Sequence, residues 1–173
     1  AGGKTWIVGG GGPMGQMHVQ WAVESGDSPD LLVVSDIDSE RLETTERKFA
    51  GVAEENGVEL VLLNPTEMSP EEYDQKLREV APEGFDDIVM MAAVPQLISS
   101  SAVYLGENGM FNVFAGVARG TTTPVDFSAV IERGARFYGS SGSAIEDLAQ
   151  TLTMAEAGDL SPNRAVAGIG GMD

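Results

Sequence analysis

Six short apolar or β-branched runs recur along the chain, at Thr5–Gly9, Leu31–Asp36, Glu59–Leu63, Asp87–Ala92, Met110–Ala115 and Ala135–Gly139. Runs such as "LLVVSD" and "DDIVMMA" are continuously apolar rather than alternating, as strands are when a parallel sheet is covered on both faces. Amphipathic stretches separate them. "SPEE" at 69–72 has the form of a capping box, with Ser69 as cap, Pro70 in the first turn and Glu72 reaching back. "SAIE" at 143–146 repeats that box, and "TPVD" at 123–126 is a looser version. Gly26, Gly57, Gly134 and Gly158 stand where helices should stop. Strict βα alternation with short connections predicts an α/β fold, a doubly wound six-stranded parallel sheet in a three-layer αβα arrangement. Right-handed crossovers make 3-2-1-4-5-6 the expected strand order. No linker, repeat or low-complexity tract divides residues 1–173, which read as one domain.

Between the first strand and the first helix lies "IVGGGGPMGQ", residues 7–16, with more glycines than one tight turn needs. A G-x-G-x-x-G pattern started at Gly9 fails at Met14, whereas one started at Gly10 is completed by Gly12 and Gly15. In this register Gly10 makes the turn off the strand, and Gly12 lets backbone N–H groups approach a pyrophosphate. Gly15 lets the helix pack close on the sheet, Pro13 is pre-set for a first helical turn, and the helix N-terminus faces the phosphates. A lone G-x-G-x-x-G says little, but here a strand precedes it, a helix follows, and Asp36 ends the second strand 21 residues after Gly15. A carboxylate there accepts the adenosine ribose hydroxyls; a strand-end acid can also cap the next helix at Asp38–Ser39. A 2′-phosphate facing Asp36 would be repelled, and the nearest base is Arg41, so NAD is expected over NADP.

Composition narrows the partners. Twenty-seven acids against 10 Lys and Arg give a net charge of −17, which repels nucleic acid. No apolar stretch approaches the ~20 residues of a membrane span, and no secretory signal pattern is visible. The absence of cysteine excludes disulfides and thiolate metal sites and fits a cytoplasmic protein. In the first helix Gly15, Val19, Ala22 and Gly26 form a narrow face against the sheet; Met14, Met17, His18 and Trp21 lie about a quarter-turn away and also read as buried. His18, the one histidine, reads as a packed or partly exposed helix residue.

"GGGGPMG", "VVSDIDSERL", "DDIVMMAAV" and "GENGMFNVFAGV" together resemble the coenzyme-binding Rossmann domain of the medium-chain dehydrogenases/reductases, the zinc-type alcohol and polyol dehydrogenases. "ARFYGSSGS" resembles the family's sixth strand and following turn, and "LAQTLTMAEAGDLSP" its last coenzyme-domain helix. Within the family the sequence is most similar in tone to sugar-alcohol or sugar-phosphate reductases of the sorbose-1-phosphate type. The resemblance implies that Gly10, Gly12, Pro13, Met14 and Gly15 cradle the pyrophosphate, and that Asp36 and Arg41 hold the adenosine ribose with Ile37 beside the adenine. It implies that Ala93 and Val94 line the middle of the cleft, and that Ala115, Gly116, Val117, Phe137 and Tyr138 approach the nicotinamide. Simple strand-end packing is an equal reading of these last positions. The sixth strand is expected at a sheet edge, where the family often pairs with a two-fold mate to form a homodimer.

Such enzymes carry a separate catalytic domain that brings the ligands of a zinc ion. One histidine and no thiolate cannot assemble a tetrahedral N/S zinc site. The chain is therefore expected to be an excised coenzyme domain, inactive by itself. Its parent would transfer hydride between NAD(H) and a secondary alcohol or ketone, with zinc in the missing domain polarising the oxygen. The Tyr-x-x-x-Lys pair of a short-chain dehydrogenase is missing: Tyr73, Tyr104 and Tyr138 are followed four residues on by Leu77, Asn108 and Gly142. A methyltransferase would place an acid at the first strand's end, where Val8 and Gly9 stand. A non-catalytic nucleotide-sensing module is the main alternative, with a methyltransferase the lesser one.

Overall fold

The computed structural model describes residues 2–139, 142–166 and 170. Its six strands are β1 (Lys4–Val8), β2 (Leu31–Ser35), β3 (Glu59–Leu63), β4 (Phe85–Met90), β5 (Leu105–Val113) and β6 (Arg136–Gly139). They form one parallel sheet in the order β3-β2-β1-β4-β5-β6, the order expected from the crossover rule. The six helices are α1 (Pro13–Glu24), α2 (Ser39–Glu55), α3 (Pro70–Val80), α4 (Pro95–Ala102), α5 (Ser128–Arg133) and α6 (Ile145–Ala157), followed by a 3-10 turn at Pro162–Ala165.

Two cores lie on opposite faces of the sheet. Val19 and Val23 of α1 meet Leu42, Phe49, Val52 and Ala53 of α2 over Ile7, Leu32 and Val34. On the other face Leu77 of α3, Ile98 and Ala102 of α4 and Ala129 of α5 cover Trp6, Val33, Ile88, Met90 and Phe111. Adjacent residues of one strand thus enter different cores, which is why the strands read as unbroken apolar runs. Among the described residues no helix is long and apolar enough to cross a membrane.

Strand β5 starts five residues before its predicted start. A register shift separates its pairing at Phe85 from that at Asp87, and Asn108 takes a left-handed φ of 57° within the strand. The polar "GEN" at 106–108 fills this irregular stretch, so the apolar pattern begins only at Met110. The capping box at Ser69 and Glu72 is formed, with both reciprocal bonds present. The other two cap readings shift. Helix α6 starts after Ala144, whose N–H donates to Asp147 at 2.8 Å, one residue beyond the predicted Ser143–Glu146 box. Helix α5 starts at Ser128, whose N–H donates to Asp126, so Asp126 acts at the helix entry rather than closing a box with Thr123. Gly26, Gly57, Gly134 and Gly158 all follow helices and all have positive φ. The turn after β6, at 140–141, lies outside the described residues.

Helix α1 departs from expectation on one side. The buried positions are Gly15, Val19 and Val23, one line at i, i+4, i+8, together with Gln20. Met14, Met17 and Trp21 face away, Met17 being 51 % and Trp21 42 % exposed, and His18 is half-buried with its ring edge-on to Phe114. The reason is steric. Contact between Gly15 and Gly10 sets the rotation of the helix, and residues more than a quarter-turn from that line then point outward.

The glycine turn and the cleft at the strand ends

At the carboxyl ends of β1, β2 and β4 the sheet opens into a cleft of about 550 Å³. This is the topological switch point, where crossovers leave β1 in one direction and β4 in the other. Gly12, Pro13, Met14, Gly15, Asp36, Ile37, Arg41 and Val94 line it.

Each glycine of the turn answers a different steric demand. Gly9 has the left-handed conformation, φ 75°, so the backbone reversal expected at Gly10 falls one residue earlier. Gly10 is glycine for room: a Cβ there would stand 2.6 Å from Val34 and 2.9 Å from Ile7. A Cβ on Gly15 would stand 2.3 Å from the Gly10 carbonyl oxygen, so the close packing it permits is against the turn itself. A Cβ on Gly11 would meet Asp36 Oδ2 and Arg41 Cβ, each at 2.9 Å. Gly12 alone faces open space, with only Arg41 Nη1 at 3.9 Å from a Cβ built on it. It is the N-cap of α1, so no side chain caps the helix, and the first turn from Pro13 to Gly15 lines the cleft. Open space beside a helix N-terminus suits an anion that approaches the backbone.

Asp36 is 9 % exposed and anchored on both oxygens. Oδ2 accepts from Gly11 N–H at 2.9 Å and Oδ1 from Asp38 N–H at 3.1 Å. Each oxygen keeps a lone pair, so the carboxylate can also accept hydroxyls from the cleft. The helix-capping alternative for the acid belongs instead to Asp38, which accepts from Arg41 N–H at the start of α2. Asn64 steadies the same corner by donating to Ile37 O and Ser39 Oγ.

The other predicted positions are less closely gathered. Ala93 is exposed just before the cleft-lining Val94. Ala115 donates its N–H to Met90 O at 3.0 Å, which lays the segment after β5, with Gly116 and Val117, across the end of β4 outside the cleft lining. Phe137 packs against Phe111 and Phe127 in the core, while Tyr138 is 60 % exposed on the opposite face of β6. Gly10 lies beneath the turn, outside the lining.

Sequence reasoning missed the cleft's floor, formed by Trp6, Ser35, Pro65, Tyr73, Leu97 and Tyr104. Trp6 Nε1–H donates to Ser35 Oγ at 3.0 Å, and its ring lies edge-on to Tyr104 at 5.5 Å. Burial pushes the Tyr73 hydroxyl above its ordinary range. Burial does the same to Tyr104, helped by its hydroxyl's donation to Asp74 at 2.7 Å. The available signal was alternation on β1: Trp6 and Val8 share a face with the cleft, and Ile7 takes the other. Among the described residues no group of three or more His, Cys, Asp or Glu could hold a metal ion.

No family profile matches the chain. It is 33% identical over 175 residues to the protein YggP of Escherichia coli (strain K12). It is 30% identical over 174 residues to mannitol-1-phosphate 5-dehydrogenase of Aliivibrio fischeri and 27% identical over 172 residues to L-sorbose 1-phosphate reductase of Klebsiella pneumoniae. Each match takes in 99% of this chain and only 40 or 41% of the relative, so the chain spans about two-fifths of the length of the curated relatives it matches. Among solved structures, alcohol dehydrogenase TADH from Thermus sp. ATN1 superposes with a TM-score of 0.74 at 18% identity, over 95% of this chain and 43% of that one. A putative zinc-binding dehydrogenase from Sinorhizobium meliloti 1021 bound to NADP gives 0.73 at 18%, over 95% and 44%. These structures share the fold, and the relatives named for mannitol-1-phosphate and L-sorbose 1-phosphate agree with the resemblance read from the sequence.

Proposed function

We propose that this chain, as the coenzyme-binding part of a medium-chain dehydrogenase/reductase, binds a nicotinamide adenine dinucleotide in the cleft and prefers NAD(H) to NADP(H). The carrying observation is the open space at Gly12, set between the uncapped N-terminus of α1 and the anchored carboxylate of Asp36. Gly12, Pro13, Met14 and Gly15 then present backbone to the pyrophosphate, with Gly10 shaping the turn beneath. Asp36 accepts the ribose hydroxyls, and exposed Ile37 covers the adenine. Ala93 and Val94 are assigned to the middle of the cleft, and Ala115, Gly116, Val117 and Tyr138 to the nicotinamide, whereas Phe137, packed on Phe111 and Phe127, belongs to the strand-end packing. When bound, the cofactor supplies a hydride donor or acceptor. The parent reaction is oxidation of a secondary alcohol or reduction of a ketone in a polyol or sugar phosphate, in line with the names of two relatives. Zinc ligands do not fit this chain's own residues and are assigned to the remainder of the parent.

Asp36→Ala is expected to weaken NADH binding by ~10- to 150-fold, since hydrogen bonds to a charged group are worth roughly 1.5–3 kcal/mol. NADPH should lose less, because the substitution also removes a repulsion. The informative quantity is the ratio, since any loosening of Gly11 and Asp38 affects both cofactors. A Cβ on Gly12 meets nothing nearer than 3.9 Å, so Gly12→Val should lower the melting temperature only modestly, through loss of a favoured N-cap residue, while both cofactors bind more weakly. Calorimetric titration of each variant with both dinucleotides decides; an unchanged NADH/NADPH ratio in Asp36→Ala would sink the assignment.

The same reading extends to self-association. Strand β6 is a sheet edge, and the family pairs such edges across a two-fold axis. Sedimentation at high protein concentration is expected to show a dimer, and a monomer throughout would count against it.

A further inference from the structure

Arg41 is the only lysine or arginine lining the cleft among the described residues, and its placement is tightly governed. Its Cβ lies 2.9 Å from where a Cβ on Gly11 would be, so the side chain starts directly over the glycine turn. From there two bonds run to one carboxylate. The backbone N–H donates to Asp38 Oδ1 at 3.2 Å, and Nε pairs with Asp38 Oδ2 at 3.2 Å. With Nε held, Nη1 points to Gly12, 3.9 Å from a Cβ built there, so the guanidinium stands at the glycine turn rather than at the adenosine ribose to which the resemblance assigned it. Asp38 stands outside the cleft lining and is itself fixed by donating its N–H to Asp36 Oδ1.

We infer that Asp38 is a positioning residue for cofactor choice: it commits Arg41 to the pyrophosphate turn and denies its guanidinium to a 2′-phosphate on the ribose. The inference rests on the dinucleotide reading above. A 2′-phosphate at the Asp36 end meets two carboxylates and one guanidinium that already has a partner. Asp38 opposes it twice, by repulsion and by holding the one cation that could answer it. Both members of the Arg41–Asp38 pair are substantially exposed, so the pair itself is weak. What matters is the alternative partner: a phosphate with more than one negative charge outbids a neutral amide for Arg41 but must compete with a carboxylate.

The test uses Asp38→Asn, which keeps the helix cap because asparagine caps as well as aspartate. Native chain, Asp38→Asn and Asp38→Asn/Arg41→Ala are titrated with NADH, NADPH, 5′-AMP and 2′,5′-ADP at low and high salt. For Asp38→Asn the affinities for NADPH and 2′,5′-ADP are expected to rise by about 5- to 20-fold at low salt, with NADH and 5′-AMP changing by less than about 2-fold. The gain should shrink at high salt and be mostly lost in the double variant, which keeps only the part due to lifted repulsion. A purely structural role for Asp38 would alter all four ligands together. An unchanged NADPH/NADH ratio overturns the inference, and so does a gain that survives loss of Arg41 undiminished, since repulsion alone then accounts for it. If the native chain takes up neither dinucleotide nor either nucleotide fragment, the underlying dinucleotide reading fails, a result distinct from an unmoved ratio.

Discussion

Trp6→Ala should lower the unfolding free energy by about 3–5 kcal/mol, the range for removing a large aromatic from a core. Trp6 is 2 % exposed and sits where three rings converge, 5.4 Å from Phe85, 5.5 Å from Tyr104 and 6.4 Å from Tyr73. Truncation opens a cavity continuous with the cleft and takes the indole donor from Ser35. Little can collapse into the gap, because β1 is the centre of the sheet and is paired on both sides. With a urea m-value of about 2 kcal/mol per molar, the midpoint should fall by about 2 M. Trp21→Ala removes the chain's other tryptophan from an exposed helix face and should change stability by no more than about 0.5 kcal/mol. Urea curves followed by circular dichroism compare the two without relying on either indole. Equal losses would mean that the aromatic cluster does not carry the core it occupies.

Arg164→Ala should cost about 2–3 kcal/mol through the carboxylate it leaves behind. The Glu24 side chain is only 6 % exposed at the end of α1 and receives the Arg164 guanidinium, the Ser161 N–H at 3.0 Å and Gln20 Nε2 at 2.8 Å. Arg164 also donates to Lys48 O, tying the 3-10 turn to both α1 and α2. Removing one partner of a fully buried pair costs about 3–5 kcal/mol. The lower figure applies because Arg164 is one-third exposed and Glu24 keeps its other two donors. Glu24→Gln/Arg164→Ala, which leaves no unpaired charge, should recover part of the loss. Thermal unfolding of the single and double variants checks this, and a double variant as unstable as Arg164→Ala would show that the charge is not the cause.

The architecture was legible because strands β1 to β4 enter both cores. Runs such as Leu31–Ser35 are apolar throughout, and helices between them stop at glycines whose positive φ few other residues accept. The G-x-G-x-x-G register located the turn but not the division of labour within it. Gly9 and Gly11 lie outside the pattern, yet Gly9 makes the reversal and Gly11 lets Asp36 and Arg41 approach. Those demands come from α2 and from Ala92, distant in sequence, and no local pattern encodes them. Trp6 and Tyr104 went unnoticed for the same reason, since a cleft floor built from β1 and the end of α4 is a tertiary fact. The exposed side of α1 was misread because hydrophobicity counts Met14, Met17 and Trp21 as core formers, whereas the helix's rotation is set by one glycine contact.

The 12 residues of α1 span about 18 Å at 1.5 Å per residue. One end is wedged against the glycine turn through Gly15 and Gly10, and the other is clamped through Glu24 to residues 161 and 164. With Val19 and Val23 buried between these anchors, the helix is a strut with both ends fastened. A tilt of about 5° imposed at the turn would displace the far end by about 1.6 Å over that length. The fastening leaves no slack to absorb such a movement, so the segment after α6 would be carried along with it.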